Sequence, residues 1–182
     1  MRTDLRLSPW SVSGMGNCWD DVFLESIFFL GNGRMGIRGY IPMEPEDRPI
    51  QKGVYLAGIF GEIKPGITDF VNLPTPVYDS ILLDGEAGTL SSPIEHSLDM
   101  KAACFTARFS LTAKQKTVDV VYSRFLPKEH PALILQRLRL IPHENVEISV
   151  ASGLMTDSCN SPIPDDQTKE NTETIQLSLL EE

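Results

Sequence analysis

Residues 105–112, FTARFSLT, decide the fold: Phe105, Ala107, Phe109 and Leu111 are apolar, and Thr106, Arg108, Ser110 and Thr112 stand between them. A repeat of two sends the two sets to opposite faces of an extended chain, so the stretch reads as a half-buried β-strand. The period returns in Val118, Val120 and Tyr122, in Leu138 and Leu140 around Arg139, in Val146, Ile148 and Val150, and last in Ile175, Leu177 and Leu179. Asp84-Gly85, after the run SILL at residues 80–83, tolerates positive φ and lets the chain reverse into Thr89 and Leu90. No window of a dozen residues carries apolar side chains at i, i+3, i+4 and i+7, which predicts less than about 15% helix. Short strands with one polar face each predict an all-β fold, a large antiparallel two-sheet β-sandwich.

The composition fits one sizeable globular domain: 182 residues, 41% hydrophobic and 23% charged. A net charge of -9 repels phosphate backbones and anionic bilayers, so neither nucleic acid nor a membrane is an expected partner. The opening residues, MRTDLRLSPW, mix charges with apolar residues and lack the apolar core of a signal peptide; no stretch approaches the roughly 20 apolar residues of a membrane span. Cys18, Cys104 and Cys159 are odd in number and form no CxxC pair, which fits reduced thiols and a cytoplasmic location. His96, His130 and His143 lack the spacing of a metal site, and no metal or cofactor is expected.

The stretch 156–174 is polar, holds Pro162 and Pro164, has almost no apolar anchor, and reads as a long loop. The strand after it ends at Leu180, and the chain stops two glutamates later without a capping element, so it reads as a domain truncated at its C-terminus.

Residues 23–39, FLESIFFLGNGRMGIRG, carry the densest pattern, with Gly31, Gly33, Gly36 and Gly39 among apolar residues. A phosphate-cradling dinucleotide loop must open a helix, and no helical pattern follows Gly39; Pro42, Pro45 and Pro49 keep the next stretch extended or turning. The alternative is a tight reversal at Gly31-Asn32-Gly33 between strands at residues 26–30 and 35–38, with Glu25 and Arg38 available to pair. Asp20 and Glu25, five apart on a strand-like segment, need not converge as a catalytic pair. Trp10, Trp19, Tyr55 and Phe60 are candidate sugar-stacking platforms, but core filling is the commoner use of such rings and is the expectation here. Arg137 and Arg139 read as the solvated face of a strand.

ESIFFLGNGRMGIRG resembles the ESxFxxGNGxxGxRG segment of glycoside hydrolase family 65, the maltose, trehalose and kojibiose phosphorylases and their hydrolase relatives. Four further segments resemble the family in the same order: YLAGI from Tyr55, VNLP from Val71, Leu98 and Asp99 with Arg108, and Ser123-Arg124-Phe125. Arg34 and the YIPME that follows Gly39 depart from the family's usual residues. The resemblance implies that residues 1–182 are the N-terminal, super-sandwich-like domain of a larger enzyme whose catalytic α/α barrel lies downstream. The chain itself would then be non-catalytic, with no catalytic residue of its own, and its partner would be that barrel of the same polypeptide. A homodimer of the parent, and α-linked disaccharide and phosphate as ligands of the full-length enzyme only, belong to the same expectation. Asn32 and Arg34 are the candidate residues facing the cleft, and Glu25, Arg38, Gly31, Gly33, Gly36 and Gly39 the candidates supporting them. The competing reading is a stand-alone carbohydrate-binding module acting through exposed aromatics.

Overall fold

A computed structural model describes residues 5–16, 22–41 and 53–155. The strands are β1 (Arg6–Ser8), β2 (Ser11–Gly16), β3 (Leu30–Gly31), β4 (Met35–Ile37), β5 (Val54–Leu56), β6 (Phe60–Lys64), β7 (Ile67–Phe70), β8 (Thr75–Leu83), β9 (Glu86–Ala87), β10 (Thr89–Leu90), β11 (Ile94–Asp99), β12 (Cys104–Ala113), β13 (Lys116–Phe125), β14 (Leu135–Pro142) and β15 (Ile148–Met155). Among the described residues one helix, α1 (Val22–Ile27), lies between β2 and β3. Trp19, the loop at 156–174 and the strand expected at Ile175, Leu177 and Leu179 fall outside the described residues.

All pairings are antiparallel. The main sheet runs β1-β2-β11-β12-β13-β14, with β10 also paired to β12. Its inner face follows from the period-2 pattern: Phe105, Ala107, Phe109 and Leu111 on β12 are buried, as are Val118, Val120 and Tyr122 on β13. Each large apolar side chain so buried contributes about 1.5–3 kcal/mol. Two three-stranded sheets, β15-β8-β9 and β3-β4-β5, bring Ile81 and Leu83, and Leu30, Ile37 and Val54, into the same core. The architecture is therefore sandwich-like, with a second layer divided into pieces, and a separate β6–β7 hairpin. On the outer face Arg137 and Arg139 are exposed, and Ser110 donates to Asp119 at 2.7 Å.

Two local expectations change. Residues 22–27 are helix, where a strand was expected from residue 26; Leu24 and Phe28, four apart, turn into the core. Six residues are too few to register as a period in a twelve-residue window. The reversal at Asp84 (φ 49°) and Gly85 (φ 81°) leads into β9 on the same sheet, and only β10 crosses to β12, with Leu90 opposite Leu111. The β12–β13 hairpin turns on Lys114 (φ 48°) and Gln115 (φ 61°), a left-handed pair with no Asn or Gly to announce it. Ten cross-strand pairs between β12 and β13 hold it in place.

The corner between β14 and β15 is tied by polar groups. His143 Nε2 meets Asp119 Oδ2 at 2.8 Å, the Thr117 amide donates to Glu144 Oε2 at 3.0 Å, and Lys116 Nζ donates to the Asn145 carbonyl at 2.7 Å while pairing with Asp84. The hydrogen bond to Asp119 raises the His143 pKa above 6.5; bonds from Ser110 and then His143 lower that of Asp119 below 3.8. The His143 contribution is therefore complete below pH 6.5 and is lost as pH rises through the raised folded value, whereas that of Asp119 is present above 3.8 and is lost as pH falls through its lowered one. Urea melts of the wild type and His143→Gln should differ most near pH 5 and converge toward pH 8. A difference that stays constant across that window would show that the ring's charge contributes nothing to the corner.

Candidate functional site

The loop at residues 31–39 is braced from within at several points. The β3–β4 hairpin turns at Asn32-Gly33-Arg34, where Gly33 has φ 90° and a Cβ would meet nothing within 4 Å. Asn32 Oδ1 accepts from the amides of Arg34 (3.0 Å) and Met35 (2.9 Å), and Nδ2 donates to the carbonyls of Pro127 and Pro131, each at 3.2 Å. The amide group of Asn32 thus spends its donors and acceptors inside the domain, joining the turn to the segment after β13. Arg34 is exposed, and its guanidinium makes no ion pair among the described residues.

Beneath the turn, Glu25 is 2% exposed and its Oε2 lies 3.5 Å from Nε of Arg38. Arg38 Nη2 donates to Ser26 Oγ at 2.8 Å, and the Gly39 amide donates to the Glu25 carbonyl at 2.8 Å. The deeper brace is Arg124, fully buried, whose Nη2 donates to the carbonyls of Arg38 (2.6 Å) and Tyr40 (3.4 Å). Its guanidinium carbon lies 4.8, 5.3 and 5.7 Å from the ring centroids of Tyr40, Phe105 and Tyr122, which replace part of the lost hydration by cation–π attraction. Reading outward from Ser123-Arg124-Phe125 alone missed this residue. The alternation of Val118, Val120 and Tyr122 carried one step further would have placed position 124 inside.

Gly31 and Gly36 let an aromatic ring lie on the hairpin: a Cβ on Gly36 would fall 2.4 Å from Cζ of Phe29, and one on Gly31 3.4 Å from its Cε1. Phe29 is nonetheless 44% exposed. It forms one wall of an open groove of about 440 Å³ whose other walls are Met35, Tyr55, Leu56, Ala57 and Phe70, with Arg34 at the rim. The Tyr55 hydroxyl lies over Gly53, where a Cβ would stand 2.5 Å from it, so the groove presents carbon almost throughout. Phe70 packs edge-on against Tyr55 and tilted against Phe60, at centroid distances of 6.1 and 5.0 Å.

The core role expected for Trp10 and Phe60 is corrected, since they are 63% and 56% exposed; Tyr55 is half-buried. Each sits on a short hairpin at the margin of the sandwich, where period and composition do not reveal whether a second layer covers it. Among the described residues no cluster of three His, Cys, Asp or Glu side chains could hold a metal ion, and no helix is long and apolar enough to cross a membrane.

An antiparallel sandwich carrying a glycine-rich hairpin, braced by the buried Arg124, defines an all-β domain. The chain belongs to glycosyl hydrolase family 65 as its N-terminal domain, which it matches over residues 22–180. It is similar to trehalose 6-phosphate phosphorylase of Lactococcus lactis subsp. lactis (strain IL1403), at 26% identity over 111 residues, which make up 56% of this chain and 14% of that protein. The chain thus covers a small part of the relative it matches.

Proposed function

We propose that this chain is the non-catalytic N-terminal domain of a cytoplasmic α-disaccharide phosphorylase or glycoside hydrolase, supporting the catalytic α/α barrel of the same polypeptide. The observation that carries this reading is the contrast between a hairpin fixed by buried charges and a groove without an acid. Inverting cleavage of a glycosidic bond needs a carboxylic acid at the leaving oxygen while phosphate or water attacks the opposite face. Glu25, the carboxylate beneath this hairpin, is buried against Arg38 and has no approach to a sugar. The disaccharide, the phosphate and any homodimer therefore belong to the full-length enzyme, and similarity to a trehalose 6-phosphate phosphorylase adds phosphorylated disaccharides to the candidate substrates.

The purified 182-residue chain is expected to release no sugar phosphate from maltose, trehalose, kojibiose or trehalose 6-phosphate in the presence of phosphate, and to show no calorimetric binding tighter than about millimolar. Sustained phosphorolysis would refute the non-catalytic assignment. The exposure of Phe60, Phe70 and Trp10 favours a second reading, a carbohydrate-binding module, and micromolar affinity for any of these sugars would establish it in place of the first.

A further inference from the structure

The groove beside the glycine hairpin has a shape and a chemistry that the support role leaves unexplained. Phe29 and Phe70 are 44% and 49% exposed, Phe29 with the tip of its ring against Gly36 and Phe70 between Tyr55 and Phe60. Large rings clustered together and open to water are the usual mark of a contact surface, because a partner that covers them removes apolar area from water. We propose that this groove is a protein-docking seat, taking an aliphatic or aromatic side chain of the polypeptide that follows this domain, with Arg34 at its rim pairing with a carboxylate of the same segment. The inference rests on the reading of the chain as an N-terminal domain.

The chemistry selects that occupant. A saccharide needs several converging polar groups besides a stacking face. Here Tyr55 turns its hydroxyl onto Gly53, which leaves Arg34 as the polar side chain available among the described lining residues. An apolar side chain needs no such partners, and an exposed guanidinium with no ion pair among the described residues, at the edge of a carbon-lined groove, favours a carboxylate in its fork geometry. Protein to fill the seat is available in the relative, of which the matched segment is only 14%.

The test is hydroxyl-radical footprinting of the complete polypeptide encoded with this chain. Phe125, 42% exposed on β13, is the reference, since it has the same intrinsic reactivity and nearly the same exposure as Phe29 and Phe70. Phe29 and Phe70 are expected to oxidise at least about fivefold more slowly than Phe125, as a packed interface core excludes solvent. Arg34→Glu should bring their rates back toward that of Phe125. Equal rates for the three phenylalanines in a longer polypeptide would overturn the docking seat and leave the N-terminal-domain reading intact. A reading frame that stops after Glu182 would overturn both. Protection of Phe29 and Phe70 that requires millimolar maltose, trehalose or kojibiose would reassign the groove to sugar.

Discussion

Gly39→Ala is expected to destabilise the domain by at least about 3 kcal/mol, the upper range for forcing extra atoms into a packed interior. A Cβ there would stand 2.5 Å from Cβ of Phe28, 2.9 Å from its carbonyl oxygen and 3.0 Å from its carbonyl carbon. None of these can retreat. Phe28 is completely buried, stacked on His96 at 5.5 Å, and its amide is bound to the Leu24 carbonyl at 2.9 Å. Gly39 is equally fixed by its bond to the Glu25 carbonyl and by Arg124 on the preceding peptide. At about 2–4 °C per kcal/mol for a chain of this size, the melting midpoint should fall by roughly 6–12 °C. Gly36→Ala supplies the contrast: its clash is with the tip of the half-exposed Phe29 ring, which can swing out, so a loss of about 1 kcal/mol is expected. Equal midpoints for the two variants in calorimetric melts would contradict the distinction between a backbone clash and a side-chain clash.

Arg124→Met should cost about 1–3 kcal/mol, the penalty for buried acceptors left without their donor. Methionine fills much of the same space, so the loss comes chiefly from the carbonyls of Arg38 and Tyr40, which lose their buried donor. Arg124→Lys should not rescue it, because an ammonium cannot lie flat among the rings of Tyr40, Phe105 and Tyr122 while reaching both carbonyls. Arg137→Met, on the exposed face of β14, should change stability by less than about 0.5 kcal/mol. Denaturant melts that place Arg124→Met beside Arg137→Met would show that the buried guanidinium is not the brace of the loop.

Much of the candidate site was legible in residues 23–39. Glu25 and Arg38, read as able to pair, stand 3.5 Å apart, and the reversal falls at Gly31-Asn32-Gly33-Arg34. The purpose of the other glycines was not legible, because the atoms they make room for, the Phe29 ring at Gly36 and the Phe28 backbone at Gly39, meet them only once the hairpin has closed. Asn32 is a similar case: its acceptors for Nδ2 lie 95 and 99 residues away.

Local geometry could be read from the residues alone: extended strands over residues 105–112 and 118–122, the polar outer face with Arg137 and Arg139, and the left-handed turn at Asp84-Gly85. These follow from alternation and turn chemistry, which act between neighbours in the chain. Long-range packing selects which strands lie side by side, so that β11 sits between β2 and β12 and the chain changes sheets between β9 and β10. It also decided that Arg124 is enclosed while Phe29, Phe60 and Trp10 are open. An amphipathic strand states that one face must be covered, but what covers it is set by packing against segments distant in sequence, and a ring at the margin of the sheet reads the same whether a second layer reaches it or not.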